Sequence, residues 1–131
     1  MNTSTVIVSK LLQKASGWDD TPFVWAGYHF SSGVPAGYEL KPRLASRVRD
    51  PKHYIAAYDL GYLWRMADEM AGNEFAVGYN DSGYFWHFRW GQRGAGNMID
   101  GIGQSWSAED GLSIEDSFCT WLIYLLEGVK R

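Results

Sequence analysis

Cysteine is almost absent from this sequence: Cys119 is the only one among 131 residues, so an internal disulfide is excluded. Stable disulfides belong mainly to oxidising compartments, and a lone cysteine favours a cytoplasmic location. Long hydrophobic runs are missing as well. The longest, Trp121 to Leu126, is far short of the roughly 20 residues that span a bilayer, and Met1 to Lys14 has no signal-peptide pattern. The sequence therefore predicts a soluble protein without a membrane partner.

Motifs for metal binding and catalysis are also lacking. His29, His53 and His87 are widely spaced and match no ligand pattern such as H-E-x-x-H. The glycine-rich stretch Gly91 to Asn97 follows a predicted strand but does not match a phosphate-binding loop. We therefore expect no metal site and no cofactor, and we favour a protein without catalytic activity. Adjacent carboxylates, which we expect to be solvated, occur at Asp19-Asp20, Asp68-Glu69, Glu109-Asp110 and Glu115-Asp116.

Net charge is only −3, but the basic residues are concentrated in one segment. Lys41 to His53 contains five basic residues and a single acid, Asp50. Such a stripe on an acidic body can bind phosphate or an acidic partner, although the alternative is a solvated loop. The acidic remainder of the chain disfavours nucleic acid. The predicted anion contacts are Arg43, Arg47, Arg49 and, from the glycine-rich stretch, Arg93.

Aromatic residues are abundant, at 16% of the chain with seven Trp. The length fits a single domain, residues 1–131, that buries roughly two-thirds of its unfolded surface. Each buried ring removes about 150–250 Å² from water. We therefore expect more aromatic surface than a small core can enclose.

Two segments in the first half of the chain have helical periodicity. The helix predicted over Thr5 to Ala15 is expected to stop at Gly17, which readily takes the left-handed cap conformation. Because Val6 and Val8 alternate, a short strand is the alternative. The second helix is predicted from Asp50, its N-cap, to Gly72. One apolar stripe along it is formed by Ile55, Tyr58, Tyr62, Met66 and Met70.

The last helix is predicted from Ile114 to Glu127. Ser113 caps it, Asp116 follows three residues later as in a capping box, and Gly128 ends it. Because apolar residues surround this helix, it needs cover on every side. Cys119 is therefore expected to be a buried structural residue.

Strand signals fill the remaining segments. Phe23 to Phe30 is a predicted strand, Gly33 to Gly37 a loop, and Tyr38 to Leu40 a return strand. In a second predicted hairpin, a turn joins Phe75–Tyr79 to Tyr84–Trp90. A short strand near Ile99 to Ile102 is a further alternative. The order helix, strands, helix, hairpin, helix predicts an α+β fold. We expect a small antiparallel sheet of two hairpins, with four to five strands, packed against three helices.

The strand Tyr84 to Trp90 is the most informative stretch, because its rings alternate between two faces. They either pack beneath a helix, against Tyr58 and Tyr62, or form a partly open wall that stacks on a ligand or partner. His29 would join His87 if their strands paired. The predicted contact residues are Tyr84, Trp86, Phe88 and Trp90 on one face, Arg89 and His87 on the other, and His29.

Surplus aromatic surface without a catalytic motif favours a non-enzymatic binding protein, and we expect a homodimer. One alternative is an immunity- or inhibitor-type protein that caps the active site of another protein. The other is a small-molecule receptor or enzyme whose aromatic-lined pocket takes a small aromatic or cationic ligand. The identity of the ligand or partner is left open by the sequence.

Overall fold

The computed structural model describes residues 2–43, 54–71, 74–91 and 104–129. Within these ranges two antiparallel three-stranded sheets form, with strand orders β2-β1-β3 and β4-β5-β6. The α+β class and the alternation of helices with groups of strands are confirmed, but the described part has six strands in two sheets. The elements are α1 (Val6–Ser16), β1 (Phe23–Ser31), β2 (Val34–Pro42), β3 (Tyr54–Ala57), α2 (Leu60–Ala71), β4 (Phe75–Asn80), β5 (Phe85–Trp90), β6 (Gln104–Ser107) and α3 (Ile114–Val129).

Helix α1 follows the prediction closely, at Val6–Ser16. Gly17 ends it in the left-handed conformation, with φ 74°, and its N–H donates to the Gln13 carbonyl at 2.8 Å. Leu12 is fully buried in the core. The predicted end of this helix at Gly17 is confirmed, but its apolar face is only partly covered, because Leu11 is 53% exposed.

The predicted helix from Asp50 to Gly72 is wrong in its first part. Tyr54–Ala57 form strand β3, which pairs antiparallel with the start of β1. Helix α2 begins at Leu60, where Asp59 Oδ1 accepts the Tyr62 N–H at 3.3 Å. The error arose because residues 55–58 are all buried, so apolar side chains at strand and loop positions mimicked a helical stripe. Asp50 lies outside the described residues.

The hairpin of β1 and β2 is longer than predicted. Ser31 pairs with Val34, so the loop is only Ser32 and Gly33, both with positive φ as in a type I′ turn. The predicted loop Gly33 to Gly37 is therefore mostly strand. Its Pro, Ala and Gly residues have weak strand propensity, and pairing with β1 overrides that propensity.

The hairpin of β4 and β5 is confirmed, with Phe75 opposite Trp90 and Asn80 opposite Phe85. Tyr84 has φ 57° and lies in the turn, so the strand alternation begins one residue later than predicted. Strand β6, Gln104–Ser107, was not predicted, because a single aromatic residue among polar ones shows no strand pattern. The strand suggested near Ile99 to Ile102 lies outside the described residues.

Helix α3 is the centre of the molecule and contacts both α1 and α2 as well as β5. Its central residues Phe118, Trp121 and Leu122 are fully buried. The cover that we expected on every side of the helix is therefore present around these three residues. Among the described residues, no helix has the length and hydropathy required to cross a bilayer.

The start of α3 is capped as predicted, because Ser113 Oγ accepts the Asp116 N–H at 3.1 Å. Asp116 does not complete the capping box; its carboxylate accepts the Thr5 N–H at 2.7 Å and ties the N-terminal segment to α3. Glu115 and Asp116 are both buried, so the expectation that this pair is solvated is wrong. The helix continues through Gly128 to Val129.

Candidate functional site

The rings of β5 divide into a covered group and an uncovered group. Phe88 is fully buried, stacks on Trp121 at 4.7 Å between ring centroids, and meets Phe118 edge-on at 5.0 Å. Trp90 is also buried and lies 5.5 Å from Trp121. These two rings therefore pack beneath α3 rather than against Tyr58 and Tyr62. Neither Phe88 nor Trp90 offers a surface in the isolated subunit.

The uncovered group forms what we call the aromatic ledge: Tyr79, Tyr84 and Trp86. Tyr79 and Trp86 are cross-strand partners whose ring centroids lie 4.9 Å apart. Tyr79 is 48% exposed, Tyr84 at the adjoining turn is 67% exposed, and Trp86 is half-buried. The ledge lies at the turn end of the hairpin, beyond the ring contacts that α3 makes with Phe88 and Trp90.

The backbone beneath the ledge is held by several hydrogen bonds. Asn80 Oδ1 accepts the N–H groups of Ser82 and Gly83 at 3.0 and 3.1 Å, which closes the turn. The carbonyls of Tyr84 and Trp86 accept N–H groups from the segment between β6 and α3, at 2.8 and 2.9 Å. The ledge is therefore presented on a supported hairpin, which lowers the entropy lost when a partner binds.

The opposite face of this hairpin carries Phe85, His87 and Arg89, as the alternation predicted. His87 pairs with Gly78, where a Cβ would come within 2.6 Å of the imidazole, so the ring lies directly over the glycine. His87 is half-buried and Arg89 is exposed. Both side chains are on the far side of the sheet from Trp86 and do not share its surface.

His29 does not meet His87. Strand β1 pairs with β2 and β3, whereas β5 pairs with β4 and β6, so both edges of each strand are already used. His29 is exposed, has φ 52° and meets the Tyr28 ring edge-on at 5.3 Å. The strand pairing on which a shared two-histidine site depended is therefore absent from the described sheets. Across the described residues, no group of three or more His, Cys, Asp or Glu side chains is arranged to hold a metal ion.

The basic segment is described only at its start. Lys41 forms an exposed ion pair with Glu39 at 3.6 Å, a type of contact that contributes little to stability. The Arg43 N–H donates to the Pro22 carbonyl at 2.9 Å. Its Nε is buried and has no hydrogen-bond partner in the described part of the chain. The anion contact of Arg43 stays a prediction, and the other three predicted contacts, Arg47, Arg49 and Arg93, lie outside the described residues.

Cys119 is fully buried, as expected for a structural cysteine. Burial in the apolar core raises the pKa of its thiol well above the ordinary range. The group therefore stays protonated at neutral pH and lacks the thiolate character of a nucleophile.

A cluster of two tyrosines and an aspartate, which the sequence analysis missed, fastens the segment after α1 to Tyr58, just before α2, and to Tyr62 in α2. The Tyr58 hydroxyl donates to the Trp18 carbonyl at 2.5 Å, and the Tyr62 hydroxyl donates to Asp20 at 2.5 Å. Burial raises the pKa of both phenols. The bond from Tyr62 lowers the pKa of the Asp20 carboxyl. Only the 3–4 spacing of the tyrosines hinted at a shared face, and nothing in the sequence pointed to Asp20.

This cluster makes one pH-dependent prediction. We expect Asp20 to titrate below the ordinary aspartate value of about 3.9, and Tyr62→Phe to return it towards that value, because the phenol stabilises the charged carboxylate. A pKa lowered by folding contributes stability above the unfolded pKa, and that contribution is lost as pH falls through the folded pKa. Side-chain carboxyl NMR against pH measures the midpoint. Tyr58→Phe is the control, since that hydroxyl bonds a backbone carbonyl; an Asp20 midpoint that ignores Tyr62→Phe would contradict the assignment.

No protein-family model matches the chain, and comparisons with curated proteins and with solved structures find no similar protein. Function therefore has to be inferred from the side chains themselves.

Proposed function

We propose that the protein is a non-enzymatic binding protein whose contact surface is the aromatic ledge, and that its partner is a second copy of the chain. The observation that supports this most directly is the exposure of Tyr79 and Tyr84 beside the half-buried Trp86. Tyrosine and tryptophan are the residues most enriched among interface hot spots, because they combine large apolar area with a polar tip.

Charge supports a self-complementary contact. The chain has a net charge of −3, so two copies repel each other on average. The β4–β5 hairpin, Phe75 to Trp90, however, contains only two formally charged side chains when its histidine is neutral: Asp81, and Arg89 on the face opposite the ledge. A two-fold axis through the ledge would therefore place rings against rings with little like-charge repulsion. Edge-to-face packing of such rings stabilises the contact beyond the area that it buries.

A lone cysteine that folding buries gives no sign of disulfide chemistry. Oxidising compartments favour proteins with stable disulfides. We therefore keep a cytoplasmic location as part of the proposal. Localisation of a tagged chain by fractionation tests it, and recovery from an extracellular or periplasmic fraction would contradict it.

The association is tested by light scattering after gel filtration and by sedimentation equilibrium. We expect the wild-type chain to elute at twice its mass, and the double variant Tyr79→Ser, Tyr84→Ser to be shifted to monomer. Loss of at least about 2 kcal/mol, as for hot-spot residues, raises the dissociation constant by a factor of about 30. Tyr28→Ser is the matched control, because Tyr28 is similarly exposed but lies in the other sheet.

Two outcomes would overturn parts of the proposal. A wild-type chain that is monomeric at about 100 μM would exclude the homodimer as a functional state. A dimer that persists unchanged in the double variant would place the interface away from the ledge. A dimer lost only in the Tyr28→Ser control would transfer the contact to the hairpin of β1 and β2.

A further inference from the structure

One concave surface is lined by residues that do not belong to the aromatic ledge. A cleft of about 650 Å³ forms where the N-terminal segment meets β1, β2 and the start of α3. Its apolar lining includes Trp25 and Leu40, which are paired residues on β1 and β2, and Val6. Ser113 and Glu115 line it from the start of α3. The volume falls within the range of about 300–1,000 Å³ that is typical of small-molecule sites.

Glu115 is the unusual group in this cleft. It is only 7% exposed and lines the cleft, and no side chain in the described part of the chain forms an ion pair with it. The neighbouring Asp116 is satisfied by the Thr5 N–H. The described residues that line the cleft include no Lys, Arg or His. A carboxylate that has little contact with water and no ion-pair partner favours a cation bound beside it.

The apolar wall of the cleft is held in place by hydrogen bonds. Trp25 Nε1–H donates to the Ser4 carbonyl at 3.0 Å. Ser4 is itself anchored, because its N–H donates to the Tyr58 carbonyl at 2.9 Å and its Oγ accepts the Tyr58 N–H at 3.1 Å. Trp25 is therefore fixed before any ligand arrives, and part of its ring stays exposed to the cleft.

We propose that this cleft binds an organic ammonium ion, a protonated amine attached to an aliphatic or aromatic body. The ammonium group pairs with Glu115, and the body packs against Trp25 and Leu40. Aromatic faces also attract cations, so Trp25 contributes to both halves of the ligand. A bare metal ion fits poorly, because the cleft is far larger than an ion and offers a single carboxylate.

Two amine probes test the site on the unmodified protein: 2-phenylethylammonium and n-hexylammonium, each followed by ¹H–¹⁵N NMR. The Trp25 indole N–H and the amides of residues 2–6 line the cleft and report binding directly. We expect saturable shifts of these resonances. The neutral analogue 2-phenylethanol should bind at least about tenfold more weakly, because it loses the charge-assisted bond to the carboxylate.

Glu115→Gln gives the complementary test, with Glu127→Gln as the control because Glu127 is an exposed acid near the other end of the same helix. We expect the dissociation constant for 2-phenylethylammonium to rise at least about tenfold in Glu115→Gln and to stay unchanged in Glu127→Gln. If Glu115→Gln does not fold, the affinities of the wild-type chain for the amine and for the alcohol are sufficient to test the proposal.

Three results would overturn the assignment: no saturable shift with either amine up to about 10 mM, equal affinity for 2-phenylethanol, or unchanged affinity in a folded Glu115→Gln. None of these results depends on oligomeric state. Failure of this site therefore leaves the proposed role of the aromatic ledge standing, and failure of the ledge leaves the cleft standing.

Discussion

Phe88→Ala is expected to lower the free energy of unfolding by about 3–5 kcal/mol, the range for large aromatic truncations in protein cores. The ring is fully buried against α3, stacked on Trp121 at 4.7 Å and edge-on to Phe118 at 5.0 Å. Its removal opens a cavity lined by large flat rings, which cannot collapse without leaving their own contacts. The loss of the aromatic pairs adds to the loss of buried area.

Urea denaturation followed by tryptophan fluorescence measures this effect. Ser82→Ala is the control on the same hairpin, and its free energy of unfolding should stay within about 0.5 kcal/mol of wild type, because the side chain is exposed and lies outside the aromatic ledge. If Phe88→Ala is too unstable to purify, Phe88→Leu keeps most of the volume and should lie between the two. A loss below about 1 kcal/mol for Phe88→Ala would contradict the central position of this ring.

The Cys119 thiol is expected to react with an aromatic disulfide reagent at least about a thousandfold more slowly in the native protein than in urea. The side chain is fully buried, and burial also raises the pKa of the thiol, so reaction requires the core to open. Opening of a core segment costs free energies close to that of global unfolding, about 5–15 kcal/mol, so fewer than about one molecule in a thousand is open.

Absorbance at neutral pH measures the labelling rate. Two variants test whether this rate reports opening of the core around Cys119. Ser82→Cys in a Cys119→Ala background places a thiol in the exposed turn of the β4–β5 hairpin, where labelling should be fast. Phe88→Ala should accelerate labelling of Cys119 by the factor that corresponds to its loss of stability, since each 1.4 kcal/mol is tenfold. Native labelling as fast as that of the exposed thiol would show that the core around α3 is open.

Local chemistry explains which elements were predictable. Gly17 ends α1, Ser113 caps α3, and an Asn-Asp-Ser-Gly turn joins β4 to β5, each through contacts within a few residues. Strand β3 was mistaken for the start of α2 because its side chains are buried consecutively. Its strand conformation depends on pairing with β1, more than twenty residues earlier in the chain. Strand β6 likewise exists only because β5 lies beside it.

The candidate surfaces show the same division. Alternation along β5 predicted that Trp86, Phe88 and Trp90 share a face, and the ring contacts agree. The alternation did not predict that α3 covers Phe88 and Trp90, or that Trp86 is left beside Tyr79 at the turn end of the hairpin. Glu115 resembled an ordinary solvated acid at a helix start, and the fold leaves only 7% of it exposed.

Sequence patterns alone predicted the α+β class, the alternation of helices with strands, the main caps and turns, and the faces of the aromatic strand. These properties follow from backbone propensities and hydrogen bonds between near neighbours, which are encoded locally. Tertiary structure alone decided that His29 and His87 lie in different sheets, which rings remain exposed, and that a carboxylate closes a cleft. Those properties depend on which distant segments exclude water from a side chain, and no local pattern specifies that.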